Sequence, residues 1–228
     1  MIVDKTGNIF TTQCQTIVNT VNCVGVMGAG IAFEFKLRYP EMFKEYVMLC
    51  EKKQIDIGIL WLYKSDDKWV LNFPTKLHWK SPSKLVYLEK GLKEFVDTYK
   101  EKSISSIAFP LLGASNGGIP EYESIRIMKK HLDQCDIDVE IYHFDPDAED
   151  DLYTTFKKIF LDLPDKELSS RSELSIGFVN KLKTALQNKN IHSMSGLLRE
   201  KGIGEKTLEK AFHFAQANRD GESQLSLF

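Results

Sequence analysis

The hydrophobic positions of this chain fall in short dense runs that alternate with stretches where they recur every third or fourth residue. The first spacing marks buried strands and the second marks helices with one apolar face. Ile2 to Phe10 reads as a short strand with a turn at Thr6-Gly7-Asn8. Thr16, Ile17, Val18, Thr20 and Val21 are β-branched and predict a second strand on a buried, pleated surface. Ile31, Ala32, Phe35 and Lys36 carry a helical pattern that stops before Pro40. Pro40 to Lys53 predicts a helix opened by its proline, with Met42, Phe43, Tyr46, Val47 and Cys50 at helical spacing. Gly58 to Tyr63 and Trp69 to Phe73 flank Ser65-Asp66-Asp67 as the arms of a hairpin. Leu85 to Tyr99 is an amphipathic helix, Ile104 to Leu112 a buried strand and Glu121 to Leu132 a helix. Val139 to Phe144 is the last strand and Leu152 to Phe160 a closing helix.

Strands alternating with helices imply an α/β domain over residues 1–163, with a mixed, mainly parallel sheet. Composition shifts after Leu163. Pro164-Asp165-Lys166-Glu167 and Ser169-Ser170-Arg171-Ser172 read as a linker over 164–173. Residues 174–218 read as a small helical region, with helices at Leu174 to Leu186, Ser193 to Glu200 and Glu205 to Ala217. Residues 219–228 read as a polar tail with an apolar cluster.

Composition removes several function classes. A formal net charge of −2 provides no global basic field for nucleic acid, so any such contact needs a local patch. Cys14, Cys23, Cys50 and Cys135 form no CxxC pair, and no histidine cluster lies near them, so no metal site is expected. No signal peptide and no membrane-length apolar run is legible, which predicts a cytoplasmic protein without membrane contact.

Chemistry concentrates in two glycine loops, each after a strand. In the first, Gly25, Gly28 and Gly30 are spaced GxxGxG and lead into a helix. Glycines let a ligand approach the backbone, and a loop opening a helix aims N–H groups at one point, which suits phosphate. The same spacing also serves as a plain strand–helix turn. Asn19 and Asn22 add amides at a strand end, where α/β folds bind ligands. The second loop is Gly113-Ala114-Ser115-Asn116-Gly117-Gly118. Two such loops facing each other clamp a diphosphate.

The segment Asn19-Thr20-Val21-Asn22-Cys23-Val24-Gly25-Val26-Met27-Gly28-Ala29-Gly30-Ile31-Ala32 resembles the first ligand loop of a macrodomain, the ADP-ribose-binding fold. Asn72-Phe73-Pro74-Thr75-Lys76 followed by His78-Trp79 resembles the DarG branch, antitoxins that remove ADP-ribose from DNA bases modified by DarT-type toxins. The likeness covers roughly residues 1–160 and implies a three-layer α/β/α fold with no cofactor. Met27 to Ala32 with Phe35-Lys36 is also similar to terminal ADP-ribose protein glycohydrolases. Those use an acidic partner in the second loop, where this chain has Ser115-Asn116-Gly117-Gly118, so a protein substrate fits less well.

The resemblance implies roles residue by residue. Asn22 bonds the distal ribose, and Lys76 is catalytic at the scissile C1″. Gly28, Ala29, Gly30 and Ile31 bind the diphosphate through backbone amides, with Gly25, Val26 and Met27 completing the loop. Gly113, Ala114, Ser115, Asn116, Gly117, Gly118 and Ile119 close over the phosphates from the other side. Asn8 stands where many macrodomains have an adenine-reading Asp, with Ile9 beside it, and its side-chain oxygen still accepts a hydrogen bond. Phe144 packs either on adenine or in the core. Thr20 and Thr75 are further ligand contacts, and His78 and Trp79 meet a nucleobase. Without the resemblance, Lys76 reads as a solvated lysine at a hairpin exit.

Two features lie outside that likeness. Lys201-Gly202-Ile203-Gly204-Glu205-Lys206-Thr207 resembles half of a helix-hairpin-helix, a DNA-backbone module, and equally an ordinary glycine turn. Gln224-Leu225-Ser226-Leu227-Phe228 resembles the pentapeptide by which bacterial proteins bind the sliding clamp, or else folds back on the domain. The expected partners are therefore ADP-ribose, ADP-ribosylated DNA, a sliding clamp and a DarT-like toxin. The competing function classes are a binding module that does not turn ADP-ribose over and a clamp- or toxin-interacting protein.

Overall fold

The computed structural model describes residues 1–145, 147, 148, 150 and 152–218. The chain divides into two compact units, one of Met1–Phe144 and one beginning at Asp145.

The first unit is built on a six-stranded sheet. Its strands are β1 (Ile2–Gly7), β2 (Thr16–Asn22), β3 (Trp61–Tyr63), β4 (Trp69–Lys76), β5 (Ser106–Pro110) and β6 (Asp138–Phe144), in the spatial order β1-β6-β5-β2-β4-β3. All neighbours are parallel except β3, which runs antiparallel to β4 as the hairpin pattern predicts. The helices are α1 (Gly30–Arg38), α2 (Pro40–Glu51), α3 (Leu85–Thr98) and α4 (Glu121–Leu132). Pro40 occupies the first position of α2, where its missing N–H costs nothing, and it ends α1 at the residue before. Glu121 and Glu123 open α4 while Lys129, Lys130 and His131 close it, matching the helix dipole at both ends.

Alternate strand residues serve opposite faces, so the sheet carries two cores. Val18, Leu71, Phe73, Ile107, Phe109 and Ile141 pack with Leu88, Leu92 and Phe95 of α3 and Ile127 and Met128 of α4. Ile17, Val21, Val70, Ala108 and Tyr142 pack with Phe35 of α1 and Met42 and Tyr46 of α2. Helix, sheet and helix therefore form three layers, as expected.

The second unit is helical: α5 (Tyr153–Asp162), α6 (Asp165–Ser172), α7 (Ile176–Leu186), a 3-10 turn at Ser195–Arg199 and α8 (Glu205–Ala217). The stretch read as a linker is mostly α6. Pro164 precedes it, Asp165 and Glu167 favour its amino end, and Leu168 is buried, so a polar composition conceals an amphipathic helix. The division falls ahead of the expected boundary at 163. The rings of Phe156 and Phe160 in α5 lie 6.2 and 5.7 Å from that of Phe214 in α8, so α5 packs with the helical unit. Gln224, Leu225, Ser226, Leu227 and Phe228 lie outside the described residues. No helix among the described residues is long and apolar enough to cross a membrane.

Candidate functional site

Five parallel strands end at the same edge of the sheet, and their ends carry the candidate residues. Asn8 follows β1, Phe144 ends β6, the second glycine loop follows β5, Asn22 ends β2 and Lys76 ends β4. The carboxyl edge of a parallel sheet is where open α/β folds bind ligands.

Lys76 and Asn22 are register partners across β2 and β4. The register slips by a residue between Val21 and Asn22: Val21 faces Pro74, yet Asn22 faces Lys76. Thr75 is the extra residue, buried, with its hydroxyl 3.5 Å from the Val21 carbonyl oxygen. Such a bulge re-aims the following side chain, and here it brings the lysine beside the asparagine.

The first loop is shaped by Asn22. Its Oδ1 accepts the backbone N–H of Val24 at 3.0 Å and of Val26 at 3.3 Å, and its Nδ2 donates to the Val26 carbonyl at 2.5 Å. Tyr46 of α2, fully buried, places its hydroxyl 2.6 Å from the Asn22 carbonyl oxygen and 3.3 Å from Oδ1. Gly25 takes φ +78°, which the turn requires and which a side chain would strain. Met27 is buried beneath the loop, whereas Val24, Val26, Gly28, Ala29 and Gly30 are exposed. No side chain caps the amino end of α1 at Ala29. Ile31 packs partly against the core, and Thr20 is half-buried.

Asn19 is not at the strand end. It is fully buried, and its Nδ2 donates to Asn72 Oδ1 at 2.9 Å, across β2 and β4, and lies 3.8 Å from Met27 Sδ. It therefore supports the loop from below.

The second loop lies against the first. A methyl group built on Gly30 would sit 2.7 Å from Asn116 Nδ2. Lys76 Nζ crosses to donate to the Asn116 carbonyl. Ser83, in the connection between β4 and α3, donates its backbone N–H to the Gly117 carbonyl at 2.9 Å. Gly117 tolerates no side chain, because a methyl there would lie 2.2 Å from the Gly113 carbonyl oxygen. Ser115, Asn116 and Gly118 are exposed, and Ala114 is half-buried. Ile119 is instead an anchor: it is 7% exposed, belongs to the α3–α4 core, and its N–H is bound to the Gly113 carbonyl at 3.0 Å.

Burial lowers the Lys76 amine below the ordinary lysine value. Cys23 stands close by, its sulfur 3.3 Å from the Lys76 carbonyl oxygen. Burial pushes that thiol up to about 12, so it stays protonated and does not compete as a nucleophile. Beyond Lys76, the His78 and Trp79 rings stack with centroids 5.7 Å apart at 26°. Trp79 is 48% exposed and Lys80 Nζ lies 4.9 Å above it.

At the far end, β1 and β6 pair Gly7 with Phe144. Phe144 is 76% exposed, which removes the core reading of this ring. Asn8 begins a 3-10 turn and accepts the Phe10 N–H at 3.0 Å, and Ile9 is buried in the α1–α2 core. Asn8 and Phe144 thus meet at neighbouring strand ends although 136 residues separate them. Among the described residues, no group of three or more His, Cys, Asp or Glu side chains could hold a metal ion. Tyr46 and Ser83 escaped the sequence reading. A tyrosine on an otherwise apolar helix face is the one available signal, since its buried hydroxyl needs a partner.

This arrangement matches known proteins. The Macro domain family model matches residues 18–128. The DNA ADP-ribosyl glycohydrolase of Mycobacterium tuberculosis is 40% identical over 148 residues, covering 62% of this chain and 42% of that protein. The chain therefore spans about two fifths of the length of this curated relative. The solved macrodomain of Mycobacterium tuberculosis DarG is 41% identical, with a TM-score of 0.60, over 62% of this chain and 97% of that one. Thermosipho africanus DarTG, solved in complex with ADP-ribose, is 31% identical with a TM-score of 0.59, over 76% of this chain and 44% of that one. Sheet order, paired loops and these likenesses agree: the chain belongs to the macrodomain family, with DarG macrodomains among its relatives.

Proposed function

We propose that this chain is a DarG-like ADP-ribosyl glycohydrolase that removes ADP-ribose from modified DNA bases. The observation that carries the reading is Lys76 beside Asn22 at the end of two touching glycine loops. The name of the Mycobacterium tuberculosis relative supports it. In this reading the diphosphate lies between the amides of Gly28 to Ile31 and the loop of Gly113 to Gly118. The adenine reaches Asn8 and Phe144, and the distal ribose reaches Asn22 and Lys76. The base extends past the reacting carbon toward His78 and Trp79.

The bond that breaks joins C1″ to the base. A water oxygen joins C1″, and its proton leaves with the base, so the products are free ADP-ribose and unmodified DNA. Lys76 acts at C1″, as a charge that steadies the departing base or as an amine that attacks C1″ and displaces the base, the C1″–N bond so formed then being broken by the water. Its burial favours the amine by lowering the proton affinity. An exposed Phe144 gives adenine a face to stack on, and stacking is worth about 1–3 kcal/mol.

The DarTG relative supports a partner of the DarT type, and the proposal extends to a role as that partner's antitoxin in the cytoplasm. The deciding experiment incubates the protein with oligonucleotides carrying ADP-ribosylated thymidine or guanosine and measures free ADP-ribose. Release from either supports the hydrolase. Tight binding without release makes the chain a reader of the modification.

A further inference from the structure

We infer that the Tyr46 hydroxyl is a positioning group for the reaction, acting through the orientation of the Asn22 amide. The inference rests on the reading above, in which Asn22 meets the distal ribose. An asparagine amide presents an acceptor on one side and a donor on the other, and nothing in its shape prevents the two from exchanging. Here the surroundings do prevent it. Two N–H donors converge on the oxygen side, those of Val24 and Val26 at 3.0 and 3.3 Å, and the Tyr46 hydroxyl stands on the same side at 3.3 Å, its one hydrogen shared with the Asn22 carbonyl oxygen. A carbonyl acceptor, that of Val26, stands 2.5 Å from the nitrogen. Turning the amide over would set Nδ2 against donors and Oδ1 against an acceptor, which leaves buried polar groups unpaired.

Two of these donors belong to the exposed loop that the amide itself shapes. Tyr46 differs from them. It sits on α2 with no exposed surface, among Val21, Met42 and Cys50 of the α1–α2 core, so it ties the amide to the rigid part of the domain. Its hydroxyl lies closer still to the Asn22 backbone oxygen, at 2.6 Å, fixing main chain and side chain together. Burial holds the phenol far above its ordinary range, so it remains a donor at any working pH. With one Nδ2 hydrogen committed to Val26, the other is the part of the amide left to donate to a ligand. Its direction is therefore set from α2, before any ligand arrives. Preorganised donors near a reacting centre act on the rate more than on ground-state binding.

The test is a double-mutant cycle in steady-state turnover of ADP-ribosylated oligonucleotide, with Tyr46→Phe, Asn22→Ala and the pair. Tyr46→Phe should lower kcat at least tenfold while KM and the ADP-ribose Kd stay within threefold. In the Asn22→Ala background the same change should alter kcat less than twofold, because the group it orients is gone. An unchanged kcat, or an equal loss in both backgrounds, overturns the inference. If wild type and Lys76→Ala both release nothing, the hydrolase reading fails as a whole. Should Tyr46→Phe not fold, the unaltered protein is read by NMR with 15N-labelled asparagine. A fixed Asn22 amide shows Nδ2 protons exchanging with solvent at least tenfold more slowly than those of exposed Asn190, and equal exchange at the two residues overturns the inference.

Discussion

Gly28 separates what the fold needs from what a ligand needs. Its φ lies outside the left-handed region, and a methyl there would meet only Val26 Cγ1, at 3.8 Å. Among the described residues, nothing demands glycine at this position. Gly30 and Gly117 differ, since their methyls would lie 2.7 Å from Asn116 Nδ2 and 2.2 Å from the Gly113 oxygen. Gly28→Ala should therefore leave stability within about 0.5 kcal/mol, the usual range for open sites. For a chain of this size that is a melting shift of roughly 2 °C. Binding should respond quite differently. A methyl between the loop amides and a diphosphate costs at least one charge-assisted hydrogen bond, about 1.5–3 kcal/mol. Calorimetric titration should then give an ADP-ribose Kd weaker by roughly 10- to 150-fold. Gly117→Ala is the contrast: overpacking there should cost about 1–3 kcal/mol of stability as well as affinity. Wild-type affinity in Gly28→Ala, or a stability loss equal to that of Gly117→Ala, would refute the placement of phosphate at this loop.

Lys76→Ala should abolish ADP-ribose release while leaving ADP-ribose affinity within about tenfold; because burial lowers the amine below 10.5, wild-type turnover should rise with pH as the neutral amine grows in, and a fall over that range would assign the ammonium instead. Phe144→Ala should melt like wild type, since the ring is 76% exposed, yet lose roughly 5- to 150-fold in ADP-ribose affinity with the stacking face; unchanged affinity would move adenine elsewhere. Asn19→Ala removes the donor to buried Asn72 and should cost about 1–3 kcal/mol in denaturant unfolding, an unchanged midpoint counting against the buried pair as a support. Truncation after Ser223 should remove micromolar-range binding to a bacterial sliding clamp without altering release of ADP-ribose, and equal clamp affinity with and without the segment would discard that partner.

The fold was legible wherever a single physical rule dominated. A β-branched run gave β2, a dense apolar run gave β5, Pro40 gave the break between α1 and α2, and the hairpin turn gave the antiparallel pair β3 and β4. The two glycine loops were legible too, since positive φ at Gly25, Gly113 and Gly118 admits few other residues. What escaped depends on register and depth. Asn19 and Asn22 look alike in the chain, yet one faces the interior of the sheet and the other turns a loop. The bulge at Thr75, which pairs Lys76 with Asn22, arises only when β4 meets β2. Ile119 looked like a loop contact because its burial is decided by α3 and α4. The α6 helix hid behind a serine-rich composition, and Tyr46 behind the apolar periodicity of α2.

If five strand ends assemble one ADP-ribose site, calorimetric titration of the protein with ADP-ribose is the decisive measurement. Saturable one-to-one binding is expected. The unfolding free energy should rise by about 2.7 kcal/mol when ligand stands at one hundred times its Kd. No heat at millimolar ADP-ribose, with a melting curve that does not move, would contradict such a site.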